Sequence, residues 1–138
     1  MTENNSKKLE LTYKMRYAAL LLLPFLILFI ISKTLLKDLY LFEWTSRHLY
    51  LYIWVLVLAF VLTDNKILAK AIVYGNIAGI IIGQFLGDFI RNQNISKITS
   101  DMNAEQIYRM HKHPGFQIWI IVMIISIVIS LIFKKRKK

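Results

Sequence analysis

The chain has 138 residues, contains no cysteine, is 57% hydrophobic and carries a formal net charge of +10. The lack of cysteine excludes a disulfide framework and thiol chemistry. The hydrophobic fraction exceeds that of ordinary soluble domains, and it lies in blocks long enough to cross a bilayer, for which about 17–25 apolar residues are needed. The sequence therefore predicts a membrane protein rather than a soluble domain.

Four apolar blocks predict an all-α integral membrane protein with four transmembrane helices, at about 15–36, 46–63, 66–90 and 115–134. We treat 1–138 as one polytopic membrane domain. The first block follows a basic lead-in, but its apolar run is long and no small-residue cleavage site follows, so we interpret it as an uncleaved anchor. The polar residues 1–12 predict a disordered tail.

The second block is short unless residues 44–48 form its first turn. LYLFEW at 39–44 is echoed by LYLYIW at 49–54. Tyr and Trp are enriched where membrane helices meet lipid headgroups, so we expect an aromatic belt at the outer surface. The members of this belt would be Tyr40, Phe42, Trp44, Tyr50, Tyr52 and Trp54.

The third predicted helix carries a row of small residues, four apart. Residues of this kind and spacing let membrane helices approach closely, in a solvent where apolar side chains give little driving force for association. Ser126 and Ser130 of the fourth helix, also four apart, are one candidate partner face. The row would close the bundle of this chain or, alternatively, form a homo-oligomer or dock another membrane subunit. It consists of Ala71, Gly75, Gly79, Gly83 and Gly87.

Polar side chains lie beside this row on the same helix. Asn76, Gln84 and Asp88 are four or eight residues apart and share one face. Intramembrane polar groups are rare and face the protein interior, so they predict either interhelical hydrogen bonds or a solute path. Asp88 and Arg91 lie near the outer end, where we expect an interfacial ion pair.

The third connection, 91–114, is the longest polar segment between the apolar blocks and predicts an outer loop. Asn103 and Gln106 have the spacing of a capping box, which predicts a short amphipathic helix near 103–112. His48, His111 and His113 all fall on the predicted outer side. They are weak candidates for a metal site or a pH sensor, and interfacial histidines without metal are the simpler interpretation.

The basic residues are distributed unevenly along the chain. Eleven of the 18 Lys and Arg lie in the two tails and the second connection, and seven lie in the other connections. The positive-inside rule therefore predicts that both termini are cytoplasmic. The run KKRKK, from Lys134 to Lys138, suits anionic lipid at about 1 kcal/mol per charge, and without interleaved aromatic residues it does not suggest nucleic acid. The Ile-, Lys- and Asn-rich composition indicates a bacterial cytoplasmic membrane.

The sequence contains no phosphate-binding loop, nucleophile–base pair or haem-type histidine within a span, so we expect neither an enzyme nor a cofactor. The leading hypothesis is a non-catalytic protein that packs against a partner, as an accessory subunit or protector in a membrane or transport complex. One alternative is a homo-oligomeric channel or carrier with Asn76 and Gln84 along its path. Another is an external metal or pH sensor that uses the three histidines.

Overall fold

The computed structural model describes residues 3–48 and 50–136. These residues form helices without a strand, which confirms the all-helical prediction. The helices are α1 (Glu3–Thr34), α2 (Tyr40–Arg47), α3 (Leu51–Leu62), α4 (Lys66–Ile95), α5 (Ala104–His111) and α6 (Gly115–Arg136).

Three helices, α1, α4 and α6, are long and apolar enough to cross a membrane. The pair α2 and α3 also passes this test when taken together, although the two helices are bent by 66° at a short break. The described residues therefore offer three candidate spans, or four if the bent pair is one span.

Two predicted boundaries are different in the structure. The first helix begins at Glu3, so residues 3–12 continue α1 as a helix where a disordered tail was expected; residues 1 and 2 lie outside the described part of the chain. The predicted second span, 46–63, is not one straight helix, because α2 ends at Arg47 and α3 begins at Leu51. The residues expected to form its first turn belong mainly to the separate helix α2.

Tyr50 lies at this break and adopts a φ of 53°, in the left-handed region that bulky residues rarely occupy. Its side chain is fully buried, its ring lies 5.3 Å from that of Phe25, and its hydroxyl accepts a hydrogen bond from Thr45 Oγ1 at 3.3 Å. These contacts compensate for the strained backbone. Tyr50 and the equally buried Phe42 therefore belong to the core, and their assignment to an aromatic belt was wrong.

The predicted short turn between α3 and α4 is confirmed. Asp64 has a φ of 58°, its N–H donates to Val61 O at 3.1 Å, and the Asn65 N–H donates to Phe60 O at 2.8 Å. This is a Schellman motif, in which an Asp replaces the usual glycine at the left-handed position. The motif reverses the chain within three residues and sends α4 back along α3.

Helix α4 is the centre of the bundle. It packs against α6 along most of its length and against α2, α3 and α5, whereas α1 packs mainly against α3 and α2. Lys14 of α1 bonds to Asp64 at 2.7 Å, and Lys134 of α6 bonds to Asn65 at 2.6 Å. The first half of α1, the α3–α4 turn and the end of α6 therefore share one end of the bundle, which we call the terminal end. The opposite end, with α5 and the start of α6, is the loop end.

Candidate functional site

The glycine row of α4 faces α6 of the same chain. A Cβ atom added to Gly75 would come within 2.7 Å of Ser126 Cβ, and one added to Gly79 would come within 2.6 Å of Trp119. At Gly83 the nearest atom would be the backbone oxygen of Gly115, at 2.6 Å. Real Cβ atoms do not approach this closely, so the two helices can adopt this spacing only because these side chains are absent.

Hydroxyl groups extend this contact toward the terminal end. Ser126 Oγ donates to the carbonyl of Ala71 at 2.9 Å, and Ser130 Oγ donates to the carbonyl of Ile67 at 3.3 Å. Both acceptors are main-chain oxygens of α4, which a neighbouring helix reaches only at close range. The structure thus brings together the small residues of α4 and the two serines of α6, in antiparallel order.

Asn76 is fully buried beside the row. Its Oδ1 accepts a hydrogen bond from Trp119 Nε1 at 3.0 Å, whereas its Nδ2 has no partner among the described residues. Trp119 was not identified from the sequence as a partner for Asn76, although it lies one turn into the fourth apolar block. The ring of Tyr52, on α3, lies 5.8 Å from the ring of Trp119, so this tryptophan joins three helices.

Gln84 connects α4 to the start of α2. The backbone N–H of Leu41 donates to Gln84 Oε1 at 2.7 Å, and Gln84 Nε2 donates to Asp88 Oδ2 at 2.6 Å. The first N–H groups of a helix have no acceptor within that helix, and an amide oxygen from α4 supplies one here. Gln84 is fully buried, so this bond lies away from solvent.

Asp88 continues the connection to His113. The other carboxylate oxygen, Oδ1, lies 3.2 Å from His113 Nε2, while His113 Nδ1 accepts the N–H of Gly115 at 3.0 Å. Because Nδ1 accepts, the imidazole proton is assigned to Nε2, which donates to Asp88. We call the series Leu41 N–H, Gln84, Asp88, His113 and Gly115 N–H the loop-end chain. It joins α2 and α4 to the segment that enters α6.

The expected ion pair between Asp88 and Arg91 does not form, because both carboxylate oxygens of Asp88 bind other partners. Arg91 is half-buried, and its Nε is buried without a hydrogen-bond acceptor among the described residues. Arg91 lies three positions from Asp88 on the same helix, a spacing that brings two side chains near each other. His113 lies 25 positions away in sequence, yet its ring reaches Asp88. The His113 side chain is almost completely buried, with 6% exposed. That pairing is tertiary, so local spacing could not reveal it.

The three histidines do not converge. His48 Nδ1 lies 2.8 Å from the carbonyl of Trp44, and His111 Nδ1 lies 2.9 Å from the carbonyl of Ile107, each within its own helical turn. His113 belongs to the loop-end chain. Within residues 3–48 and 50–136, no group of three or more His, Cys, Asp or Glu side chains is arranged to hold a metal ion.

Helix α5 begins as the sequence predicted. Asn103 Oδ1 accepts from the N–H of Gln106, and Gln106 Oε1 accepts from the N–H of Asn103, both at 2.9 Å, which confirms the capping box. None of the α5 residues is buried, and Tyr108 is 74% exposed. The helix is thus well defined at its start, packs against α4 and leaves most of its surface exposed.

A cavity of about 570 Å³ lies at the loop end, beside α5. Arg91 and Lys112 contribute fixed positive charges to its lining, and Tyr40 and Tyr108 contribute phenol groups. Of these residues, sequence reasoning had singled out Arg91 and assigned Tyr40 to the belt. Tyr108 and Lys112 lie in the polar loop. The sequence signal that could have drawn attention to Lys112 is the stretch HKHPGFQIW, in which a proline and a glycine fix the exit from the loop.

The basic C-terminal run is only partly described. Lys134 Nζ donates to Asn65 Oδ1, so this residue has a partner within the protein. Lys135 and Arg136 are exposed, while Lys137 and Lys138 lie outside the described residues.

Comparisons with known proteins give no assignment: no family model, no curated protein and no solved structure matches this chain.

Proposed function

We propose that the chain is a multi-pass protein of the bacterial cytoplasmic membrane with four passes, and that both termini are cytoplasmic. The bent pair α2 and α3 is the second pass. The contacts of Lys14 with Asp64 and of Lys134 with Asn65 support an even number of passes, because they hold the first half of α1 and the end of α6 at one end of the bundle. The excess of basic residues in the tails and the second connection supports the cytoplasmic assignment of that end.

The proposed role is that of a non-catalytic accessory subunit or protector, which presents its outer segment 91–114 to a membrane partner. The observation that carries this proposal is the loop-end chain. Gln84, Asp88 and His113 tie the segment to α2, α4 and α6 through hydrogen bonds that are wholly or partly buried.

Holding an exposed segment in a fixed conformation favours its recognition by a partner protein. A surface that is already ordered loses less conformational freedom when a partner binds. The anchored segment carries α5, which packs against α4 on one side and has no buried residue, and Tyr108 projects from it into the surroundings. Tyrosine is among the residues that contribute most to binding energy at interfaces.

The other two hypotheses gain no contact in their favour. The side-chain oxygens of Asn76 and Gln84, proposed to line a solute path, accept hydrogen bonds from within the chain. The row that was proposed as an oligomer interface faces α6 of the same chain. The homo-oligomeric channel or carrier, and the sensor whose three histidines do not converge, therefore stay predictions from the sequence alone.

In-cell photo-crosslinking tests the accessory role. A benzophenone amino acid is placed at Tyr108, or as a matched control at Tyr74, which is 62% exposed on α4 and far from the loop end. We expect one discrete adduct from position 108 and none of the same mass from position 74. The adduct should weaken when His113→Ala removes the contact with Asp88.

Three results would contradict the proposal. Equal adducts from positions 108 and 74 would indicate random collision in the membrane. An adduct with twice the mass of the chain would indicate a homo-oligomer. An adduct that survives His113→Ala at full yield would show that the loop-end chain is not needed for presentation.

A further inference from the structure

We propose that the loop-end cavity binds a phosphate-bearing anion, with Arg91 as its main ligand. This inference goes beyond the accessory role and does not depend on it. The cavity lies where the end of α4, the start of α6, the start of α2 and the end of α5 meet, and its volume of about 570 Å³ is sufficient for a small headgroup.

The state of Arg91 favours an anion. Its Nε is buried, yet no acceptor among the described residues reaches it. A buried N–H group without an acceptor is costly, and an anion that accepts from it removes that cost. The nearest acidic residue along α4, Asp88, binds Gln84 and His113 through its two oxygens. An anion in the cavity would supply the acceptor that Arg91 Nε lacks among the described residues.

The charge of the cavity wall also favours an anion. Arg91 and Lys112 are positively charged, and none of the eight lining residues, all of them described, is acidic. Tyr40, Tyr108 and Gln117 add hydroxyl and amide donors. Guanidinium groups bind phosphate oxygens in pairs, and ammonium groups bind them as point charges, so this set of donors suits phosphate.

The histidines of the cavity position the wall rather than bind the anion. His113 has both ring nitrogens engaged, by Asp88 and by the N–H of Gly115, and its ring lies 4.8 Å from that of Tyr40. His111 Nδ1 is directed to the carbonyl of Ile107. The fixed charges of Arg91 and Lys112 remain as the anion ligands.

The phosphate has two possible sources, and the chemistry of the cavity is the same for both. In the proposed topology, the last turns of α4 and the first turn of α6 lie at the level of the outer headgroups, where an anionic phospholipid presents its phosphate. A free phosphate from the outside medium would meet the same donors.

The experiment uses the full chain purified in a mild non-ionic detergent. Phosphatidylglycerol or phosphatidylcholine is added, and bound lipid is counted by native mass spectrometry. Inorganic phosphate is titrated separately by calorimetry and as a competitor of the lipid. The variant is Arg91→Gln. The matched control is Arg109→Gln, which removes the same charge from an exposed α5 residue that pairs with Glu105 and does not line the cavity.

We expect one tightly bound phosphatidylglycerol per chain, with an affinity that falls at least about tenfold in Arg91→Gln, because hydrogen bonds to charged groups are among the strongest. Arg109→Gln should bind as the unmodified chain does. Competition by inorganic phosphate would assign the site to phosphate from either source, and lipid binding without such competition would assign it to the headgroup.

Two outcomes would overturn the inference. One is equal binding by Arg91→Gln and Arg109→Gln. The other is binding of neither phosphatidylglycerol nor phosphate by the unmodified chain. If Arg91→Gln fails to fold, Lys112→Gln replaces it in the test, because Lys112 is exposed. Lys112→Gln should also weaken binding, and its thermal unfolding should stay unchanged.

Discussion

Helices α1 and α4 are the two longest in the molecule, with 32 and 30 residues, yet they join the bundle in different ways. In α4, 56% of the most apolar 18-residue stretch is buried inside the protein, whereas in α1 the share is 17%. The more apolar of the two helices is thus the less buried one. Apolar character alone does not predict which helix lies at the centre of a membrane bundle.

The contacts of the two helices explain this difference. Helix α4 approaches α6 closely because its glycines have no side chains at the contact. Hydrogen bonds such as those donated by Ser126 and Trp119 also join the two helices. Helix α1 has Ala18, Phe25 and Ser32 buried at intervals of seven residues, and most of its other leucines and isoleucines are exposed or only half-buried. In lipid, exposed apolar side chains cost nothing, so close backbone approach and polar contacts decide which helices pair.

The largest effect on the bundle is expected from Gly83→Ile, at the closest approach of α4 and α6. The new side chain would collide with the backbone oxygen of Gly115, which cannot rotate away as a side chain can. We expect the free energy of unfolding to fall by about 3 kcal/mol, at the upper end of the range for overpacked cores. Denaturation by sodium dodecyl sulfate in mixed micelles, followed by circular dichroism, measures this loss.

Phe85→Ile is the matched control for Gly83→Ile, because it introduces the same side chain on the exposed face of α4. It should leave the free energy of unfolding nearly unchanged. Similar losses in both variants would mean that the row has no special packing role.

Asp88→Ala is expected to have the next largest effect. It removes the acceptor of both Gln84 Nε2 and His113 Nε2, and unpaired buried donors cost about 1–3 kcal/mol. The same detergent titration measures the loss, and faster hydrogen exchange in segment 91–114 would locate it. Asp101→Ala removes only exposed hydrogen bonds, from Thr99 and from the Asp101 backbone in the same loop, so it should lower the free energy of unfolding much less than Asp88→Ala.

A smaller effect is expected from the bond between Trp119 and Asn76. A double-mutant cycle with Trp119→Phe and Asn76→Leu isolates this bond from the loss of ring packing. Hydrogen bonds between membrane helices average about 0.6 kcal/mol in such cycles, with a maximum near 1.7, and we expect a coupling energy within that range. A coupling energy of zero would show that Asn76 is buried without contributing to helix pairing.

The smallest effect is expected on the α1 side, from Lys14→Gln. Its ammonium group pairs with Asp64 and Glu10, whose side chains are well exposed, and exposed ion pairs contribute little. In the same sodium dodecyl sulfate titration, its loss of unfolding free energy should be smaller than in any variant above. A larger loss than that of Asp88→Ala would reverse the ranking of the two helices.

Local patterns predicted much of this architecture. Three of the four apolar blocks, the turn at 64–66 and the capping box of Asn103 and Gln106 all depend on residues close together in sequence, and each appears in the structure. The spacing of the glycines identified α4 as a packing helix, and the structure brings Ser126 and Ser130 against it.

Features that depend on tertiary contacts could not be predicted. The break between α2 and α3 places a tyrosine in the left-handed region, which no local propensity favours, and Phe25 and Thr45 stabilise it from other turns. Asp88 pairs with His113 instead of the nearby Arg91 because the chain returns to α4 before it enters α6. The same return of the chain brings Lys112 and His113 beside Arg91 and so forms the cavity.

Cysteine crosslinking shows directly whether the row on α4 holds α6 of the same chain. The chain has no native cysteine, so Ala71→Cys/Ser126→Cys introduces a single pair, at positions joined by a hydrogen bond of 2.9 Å. Oxidation in native membranes should give a monomer that migrates faster on a non-reducing gel and reverts on reduction. A disulfide-linked dimer as the main product would contradict the account and make the row an interface between chains.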